Sequence, residues 1–293
     1  MKYGIIANPC SGTLSIDKKN NILKQAAKFL GDECIIAGLD TKSAKEFCDC
    51  VKDIENNVDI IIGCGGDGTI CDIINTIRPE TTIAYLPFGT GNALKYTLHL
   101  SGSVIKNLNQ IKNGKTRYAD LILCDAEKKA LFASVGLDGH ILKLREQYIR
   151  EDKSNRLKGL LPYIKATAKS ITKDYVRSNV EINIDGEIIN VPDFLSIIVT
   201  KIPYYGFGLN IVPDAKISDG NIHILYLNSG ILKICYGIAA SFLYKNKIGE
   251  YKRAEKISIK TNIDLYLQIH GTLEKKNNYF QFEILPDKLK MRY

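Results

Sequence analysis

The sequence predicts an α/β protein of two domains: an open, mostly parallel sheet with helices, then an antiparallel β-rich domain. Three observations predict it. The first part of the chain alternates short apolar runs with helical patterns, and two glycine-rich turns each follow an apolar run. After Gly114 the rhythm changes to closely spaced short strands split by turn signals. The expected division is residues 1–118, with 285–293 as a candidate return segment, and residues 119–284.

In the first domain, Tyr3 to Ala7 reads as a strand. It runs through Asn8-Pro9-Cys10-Ser11-Gly12-Thr13 into a helical stretch near Lys18 to Leu30. A strand near Glu33 to Ala37 precedes a helix around Ser43 to Asn56. Val58 to Gly63 is a nearly continuous apolar run, which suits a strand covered on both faces. The chain then turns at Gly65-Gly66-Asp67-Gly68 and enters a helix from Thr69 to Thr76. Ile83 to Leu86 is a fourth strand, followed by Pro87-Phe88-Gly89-Thr90-Gly91-Asn92 and another helix. Such βα repetition is Rossmann-like, and sheets of this kind bind ligands beyond the carboxyl ends of their strands.

In the second domain, Ala119 to Cys124 and Lys129 to Val135 read as paired strands, and Leu157 to Lys173 as a helix. Further strands are expected at Val180–Ile184, Ile188–Val191, Leu195–Val199, Asn221–Leu227, Lys256–Lys260, Leu265–Ile269 and Tyr279–Ile284, with a helix over Leu232–Lys245. A site is expected where the two halves meet.

Composition narrows the function. The chain has 293 residues, 45% hydrophobic and 25% charged, with 40 Lys+Arg against 32 Asp+Glu for a formal charge of +8. This is globular, and its basic balance is compatible either with scattered solubilising lysines or with an anionic partner such as a nucleotide or a phospholipid surface. No long basic run or nucleic-acid module occurs, which argues against nucleic acid. The amino-terminal residues do not read as a signal peptide, and no apolar run reaches the length of a membrane span. The eight cysteines lack zinc-site spacing and fit a reducing cytoplasm.

The chemistry concentrates in Gly65-Gly66-Asp67-Gly68-Thr69. Glycines let a phosphate approach the main chain, and a helix opening at Thr69 offers N–H groups to an anion. Asp67 is placed to bind Mg²⁺ or to receive the acceptor's proton, and Thr69 to cap the helix or touch phosphate; a plain tight turn with a local Asp cap is the alternative. Ser11, Gly12 and Thr13 form a second turn able to grip phosphate. The Walker pattern and the dinucleotide fingerprint are both absent.

Gly65-Gly66-Asp67-Gly68-Thr69 resembles the signature of diacylglycerol, sphingosine and ceramide kinases and, more distantly, of NAD kinases. Asn8-Pro9-Cys10-Ser11-Gly12 resembles the opening motif of the lipid kinases, and Gly89-Thr90-Gly91-Asn92-Ala93-Leu94 a third motif beside their nucleotide. The resemblance implies an ATP- and Mg²⁺-dependent kinase acting on a lipid hydroxyl at a membrane surface. It makes Asp67 essential to transfer, and places Asn8, Ser11, Gly12, Thr13, Gly65, Gly66, Gly68, Thr69, Gly89, Thr90 and Asn92 at the nucleotide. Asp138, in Ser134-Val135-Gly136-Leu137-Asp138-Gly139, is implied to face the substrate head group, with a turn-capping role as the alternative. Asp219, and less directly Asp214, match a loop that holds a structural Mg²⁺ in some bacterial members; both are also ordinary turn residues.

The chain departs from the family at two usually acidic positions, Ala93 and Thr272. Ala93 follows the sphingosine and ceramide kinases. Near Thr272, Glu274 or His270 are the substitute candidates for proton transfer, or solvated hairpin residues. Asp185-Gly186-Glu187 reads as a hairpin turn and not as the missing acidic motif. The implied location is cytoplasmic with transient membrane contact, and a homodimer is left open. Two rivals remain: an NAD kinase-like enzyme, and a non-catalytic nucleotide or lipid sensor.

Overall fold

The computed structural model describes all residues except 32, 153–160, 172–174, 176 and 247. The chain divides into two compact units, the first made of Met1–Leu121, Tyr204–Gly208 and Pro286–Tyr293, the second of Ile122–Pro203 and Leu209–Leu285.

The first unit holds four parallel strands, β1 (Tyr3–Ala7), β2 (Ile35–Ala37), β3 (Ile60–Gly65) and β4 (Thr82–Pro87), in the order β4-β3-β1-β2. Helices α1 (Ile16–Leu30), α2 (Ala44–Glu55), α3 (Asp67–Thr76), α4 (Ala93–Thr97) and α5 (Val104–Asn113) intervene. Ser15, Ser43 and Ser103 start α1, α2 and α5, each side chain accepting an N–H three residues on. Leu23, Ala26 and Leu30 recur at helical spacing and pack with Ile5, Ile62, Leu86 and Leu108 into one core. On β3, a Cβ at Gly63 would stand 2.6 Å from the Ile73 side chain, so α3 packs close enough to need glycine there.

A fifth parallel partner comes from far along the chain. The end of β14 (Thr272–Arg292) pairs Lys290 with Thr82 and Met291 with Ile83. The Arg292 side chain donates to the carbonyls of Ile111 and Lys112 at the end of α5.

The second unit is antiparallel. Strands β7 (Phe132–Gly136), β10 (Ser196–Thr200), β11 (Ile222–Leu227), β12 (Glu250–Ala254) and β13 (Lys256–Ile269) run β12-β11-β10-β7-β13, with β14 beyond. The hairpin β8 (Ser178–Ile184) and β9 (Glu187–Phe194) attaches to the first half of β13 and turns at Asp185-Gly186, both in the left-handed region. Among the described residues, helices α6 (Leu137–Glu151), α7 (Leu161–Lys169) and α8 (Ile231–Leu243) accompany the strands.

Several expectations change here. The strand expected over Lys129–Val135 is two strands. Its first piece, β6 (Lys128–Ala130), pairs with the end of β5 (Thr116–Cys124), while β7 pairs with β10 and β13. The break falls at Leu131, whose N–H is taken by His270 and whose carbonyl accepts from Lys201 N–H. The candidates at Lys256–Lys260 and Leu265–Ile269 are one strand, irregular between those two segments. Helix α6 and strand β12 lie where none was expected. Of the helix expected over Leu157–Lys173, residues 157–160 and 172–173 fall outside the described residues. Among the described residues no helix is long and apolar enough to cross a membrane.

Candidate active site

Three main-chain turns leave the carboxyl ends of β1, β3 and β4, and the fold brings them together. The N–H groups of Phe88 and Gly89 both donate to Gly65 O, at 2.8 and 2.9 Å, and Asn8 N–H donates to Cys64 O at 3.1 Å. A Cβ on Gly89 would lie 2.3 Å from Gly66 Cα, and one on Gly12 would lie 2.0 Å from Phe88 O. Only residues without a side chain allow that approach, and Gly12 also holds a positive φ of 66°.

Asp67 occupies the first turn of α3 and reaches across to α4. Its carboxylate accepts the N–H groups of Ala93 at 3.0 Å and Leu94 at 3.3 Å. Burial pushes its pKa up, and these main-chain donors pull against that push. Asp67 therefore sets the third turn against the second. Asn92 has a left-handed backbone; its amide donates to Gly89 O at 2.6 Å and its oxygen accepts from the Tyr85 hydroxyl at 2.9 Å. Thr69 is buried against Gly65, while Thr90 and Thr13 are exposed. The first helical donor of α3 is Ile70, which reaches Gly66 O; the preceding Gly68 and Thr69 N–H groups lie in the turn that favours an anion.

In the first turn, Asn8 Oδ1 accepts from Cys10 N–H and Ser11 Oγ donates to Asn8 O. Lys19, which sequence reasoning missed, is 1% exposed and donates to Pro9 O at 2.7 Å and Asn8 O at 3.4 Å. Burial lowers its pKa, partly opposed by the Cys10 thiol. By holding two carbonyls inward, this amine fixes the course of the loop. A lone Lys on a helix gives no sequence signal of that task.

The segment Tyr204–Gly208 also belongs to this unit. Phe207, with a left-handed backbone, donates its N–H to Gly91 O at 2.8 Å, and Gly208 lies against the Tyr96 ring.

In the second unit, Asp138 follows Gly136 at the start of α6. Burial raises its pKa, opposed by the hydroxyls of Ser134 and Ser196, the latter at 3.2 Å. Gln268 donates to Ser134 Oγ at 2.8 Å and accepts from Gly271 N–H at 2.8 Å, so a hydrogen-bonded chain joins the β13–β14 turn to Asp138. His270 and Glu274, the substitute candidates for proton transfer, are both engaged by neighbours. The His270 ring is 4% exposed, accepts from Leu131 N–H at 2.7 Å through Nε2 and stacks on Phe132. Glu274 pairs with Lys128. No transfer step is assigned to either.

At the loop where a structural Mg²⁺ was expected, Asp219 is engaged by side chains. Asp219 Oδ1 accepts from the fully buried Lys201 ammonium at 2.7 Å, and His223 Nε2 lies 3.1 Å from Oδ2. Lys201 also donates to Asn221 O. Burial raises the Asp219 pKa, but Lys201 and His223 outweigh it and hold the carboxyl low. The cationic place beside Asp219 is filled by a side chain, Asp214 is exposed, and no cluster of metal-ligating residues occurs among the described residues.

Glycine-lined turns at the ends of parallel strands, with a carboxylate among them, make up the candidate site of this α/β fold. The family description "Diacylglycerol kinase catalytic domain" matches residues 2–124, and "YegS C-terminal NAD kinase beta sandwich-like domain" matches residues 134–289. The chain belongs to this diacylglycerol kinase/YegS family of kinases. A diacylglycerol kinase of Bacillus subtilis is 24% identical over 91% of this chain and 88% of its own, and one of Staphylococcus saprophyticus is 24% identical over 76% and 73%. The fold is shared with a crystal structure of a diacylglycerol kinase from Bacillus anthracis (20% identity, TM-score 0.72, 100% of this chain and 96% of that one). It is shared more loosely with an Archaeoglobus fulgidus NAD kinase in complex with ATP (13% identity, TM-score 0.52, 100% and 94%).

Proposed function

We propose that this chain transfers the terminal phosphoryl group of ATP to the hydroxyl of a diacylglycerol-like or sphingoid lipid. The observation that carries the reading is the packing of the three turns on one another, Gly12 against Phe88 and Gly89 against Gly66 at distances only glycine permits, with Asp67 bonded across to the start of α4. The nucleotide's phosphates would lie on the turns formed by Asn8, Ser11, Gly12 and Thr13, by Gly65, Gly66, Gly68 and Thr69, and by Gly89, Thr90 and Asn92. Main-chain N–H groups held in place before the reaction stabilise charge on the transferring group without reorganising.

Mg²⁺ binds through one or two carboxylates together with substrate phosphates, and Asp67 supplies a carboxylate among the proposed phosphate turns. Asp67 would hold the ion, which neutralises phosphate charge when bound. Asp67 also has the chemistry to take the acceptor's proton, its pKa being raised toward that of a useful base. Asp138, held by two serines, would orient the lipid's polar head.

The test is incubation of the purified protein with γ-labelled ATP, Mg²⁺ and dispersed diacylglycerol, sphingosine, ceramide, undecaprenol or NAD. Label on a lipid is the expected result. Label on NAD alone would select an NAD kinase, and nucleotide binding without transfer to any acceptor would select a sensor.

A further inference from the structure

Helix α8 is apolar on both sides. Its inner side is fully engaged: Ile234 packs with Leu137 and Leu195, joined by Ile238, and the Ser241 carbonyl accepts Asn210 N–H at 3.0 Å. Gly237 lets residues Asn246 and Ile248 cross close to the helix. The outer side should then be polar, as on any surface helix. Instead Leu232, Tyr236, Ala239 and Leu243, which share one face, are exposed, with Leu232 at 86% and Leu243 at 74%. Phe242 and Tyr244 extend the patch.

Charge identifies the partner. From Asn221 to Gly249 the sequence has no Asp or Glu, yet carries Lys233, Lys245 and Lys247. Lys233 and Lys245 are exposed at opposite ends of the apolar face. An apolar stripe with lysines at its borders and tyrosines at its edge matches the boundary between acyl chains and anionic headgroups. A helix of 13 residues is about 20 Å long, too short to span a bilayer and long enough to lie in its surface.

We infer that α8 docks this protein onto an anionic lipid bilayer, its Leu232–Tyr236–Leu243 face entering the acyl boundary and Lys233 and Lys245 meeting the headgroups. The choice of a bilayer over another apolar partner rests on this charge pattern and on the lipid-kinase reading. The docked helix would lie over Leu137, the residue before Asp138, and so bring the proposed head-group residue under the membrane surface.

The test is sedimentation of the whole chain, without ATP, with vesicles of phosphatidylcholine alone or mixed equally with phosphatidylglycerol. Binding to the mixed vesicles that weakens with salt is expected. The triple variant L232S/Y236S/L243S should bind them at least about tenfold less, and K233Q/K245Q about tenfold less. Both variants should keep the wild-type melting temperature and, in detergent-dispersed lipid, the wild-type rate of whatever transfer the chain performs. Failure of the wild type to bind the mixed vesicles, equal binding by the triple variant, or a dimer that the triple variant converts to monomer would overturn the inference. The vesicle measurement needs no turnover, so it stands or falls separately from the kinase assay.

Discussion

Gly89 and Gly66 meet back to back, so close that a Cβ on Gly89 would stand 2.3 Å from the Gly66 Cα and 2.7 Å from Asn92 Oδ1. Main chain cannot yield as a flexible side chain does. Gly89→Ala should therefore cost about 1–3 kcal/mol of stability and spread the second and third turns. The expected result is a lower denaturant midpoint and a raised Kd for ATP, read by chemical unfolding and calorimetry. An unchanged Kd would mean that the spacing of these turns does not serve the nucleotide.

Asp67 carries two tasks that substitution can separate. Asp67→Ala removes the acceptor of the Ala93 and Leu94 N–H groups and should cost about 2–4 kcal/mol of stability. Asp67→Asn keeps a carbonyl acceptor for one of the two N–H groups but turns its amide nitrogen toward the other, so it should hold part of that stability while lowering kcat at least about a hundredfold. Thermal melts beside the labelling assay separate the two effects. Because burial raises the Asp67 pKa, the Asp67 carboxyl of the metal-free protein should titrate above the ordinary aspartate range, read by carboxyl-carbon NMR.

Lys19 meets the first of the proposed phosphate turns from behind, through the carbonyls of Asn8 and Pro9. Lys19→Met should cost about 1–3 kcal/mol and raise the KM for ATP more than it lowers kcat, because it loosens a binding loop. Steady-state kinetics against ATP concentration checks the split.

His223 and Asp219 make the second unit acid-sensitive. Burial holds His223 below its usual 6.5, with the Asp219 carboxylate opposing. Below that pH the unfolded chain takes up a proton the folded one refuses, so stability falls as pH drops from 6.5 toward the lowered value. The Asp219 contribution is present above its ordinary 3.8 and disappears as pH falls through its depressed folded value. Melting temperatures across this range should show both steps, and His223→Gln should remove the upper one and shrink the lower, because His223 is one of the two groups that hold Asp219 low.

The alternation of β1, β3 and β4 with their helices was legible because parallel strands buried on both faces are written as unbroken apolar runs. The turns at Asn8, Gly65 and Gly89 were legible because close main-chain approach demands glycine. What stayed hidden depends on distant partners. Lys19 and Lys201 look like any lysine until the carbonyls and carboxylate they meet are in place. Helix α6 opens after Gly136 with no side-chain cap, so nothing local announced its start. The break at Leu131 answers to His270 and Lys201, both remote in sequence. Tyr204–Gly208 joins the first unit through Gly91, which no local pattern could indicate.

The pairing of Lys290 and Met291 with β4 bears on how the protein is made. A ribosome delivers residues Met1–Leu121 long before Pro286–Tyr293, so the nascent parallel sheet must wait with the β4 edge unsatisfied. During that interval Thr82 and Ile83 offer an open strand to any neighbouring chain. Translation speed and chaperone cover over the intervening residues thus become conditions for recovering native protein.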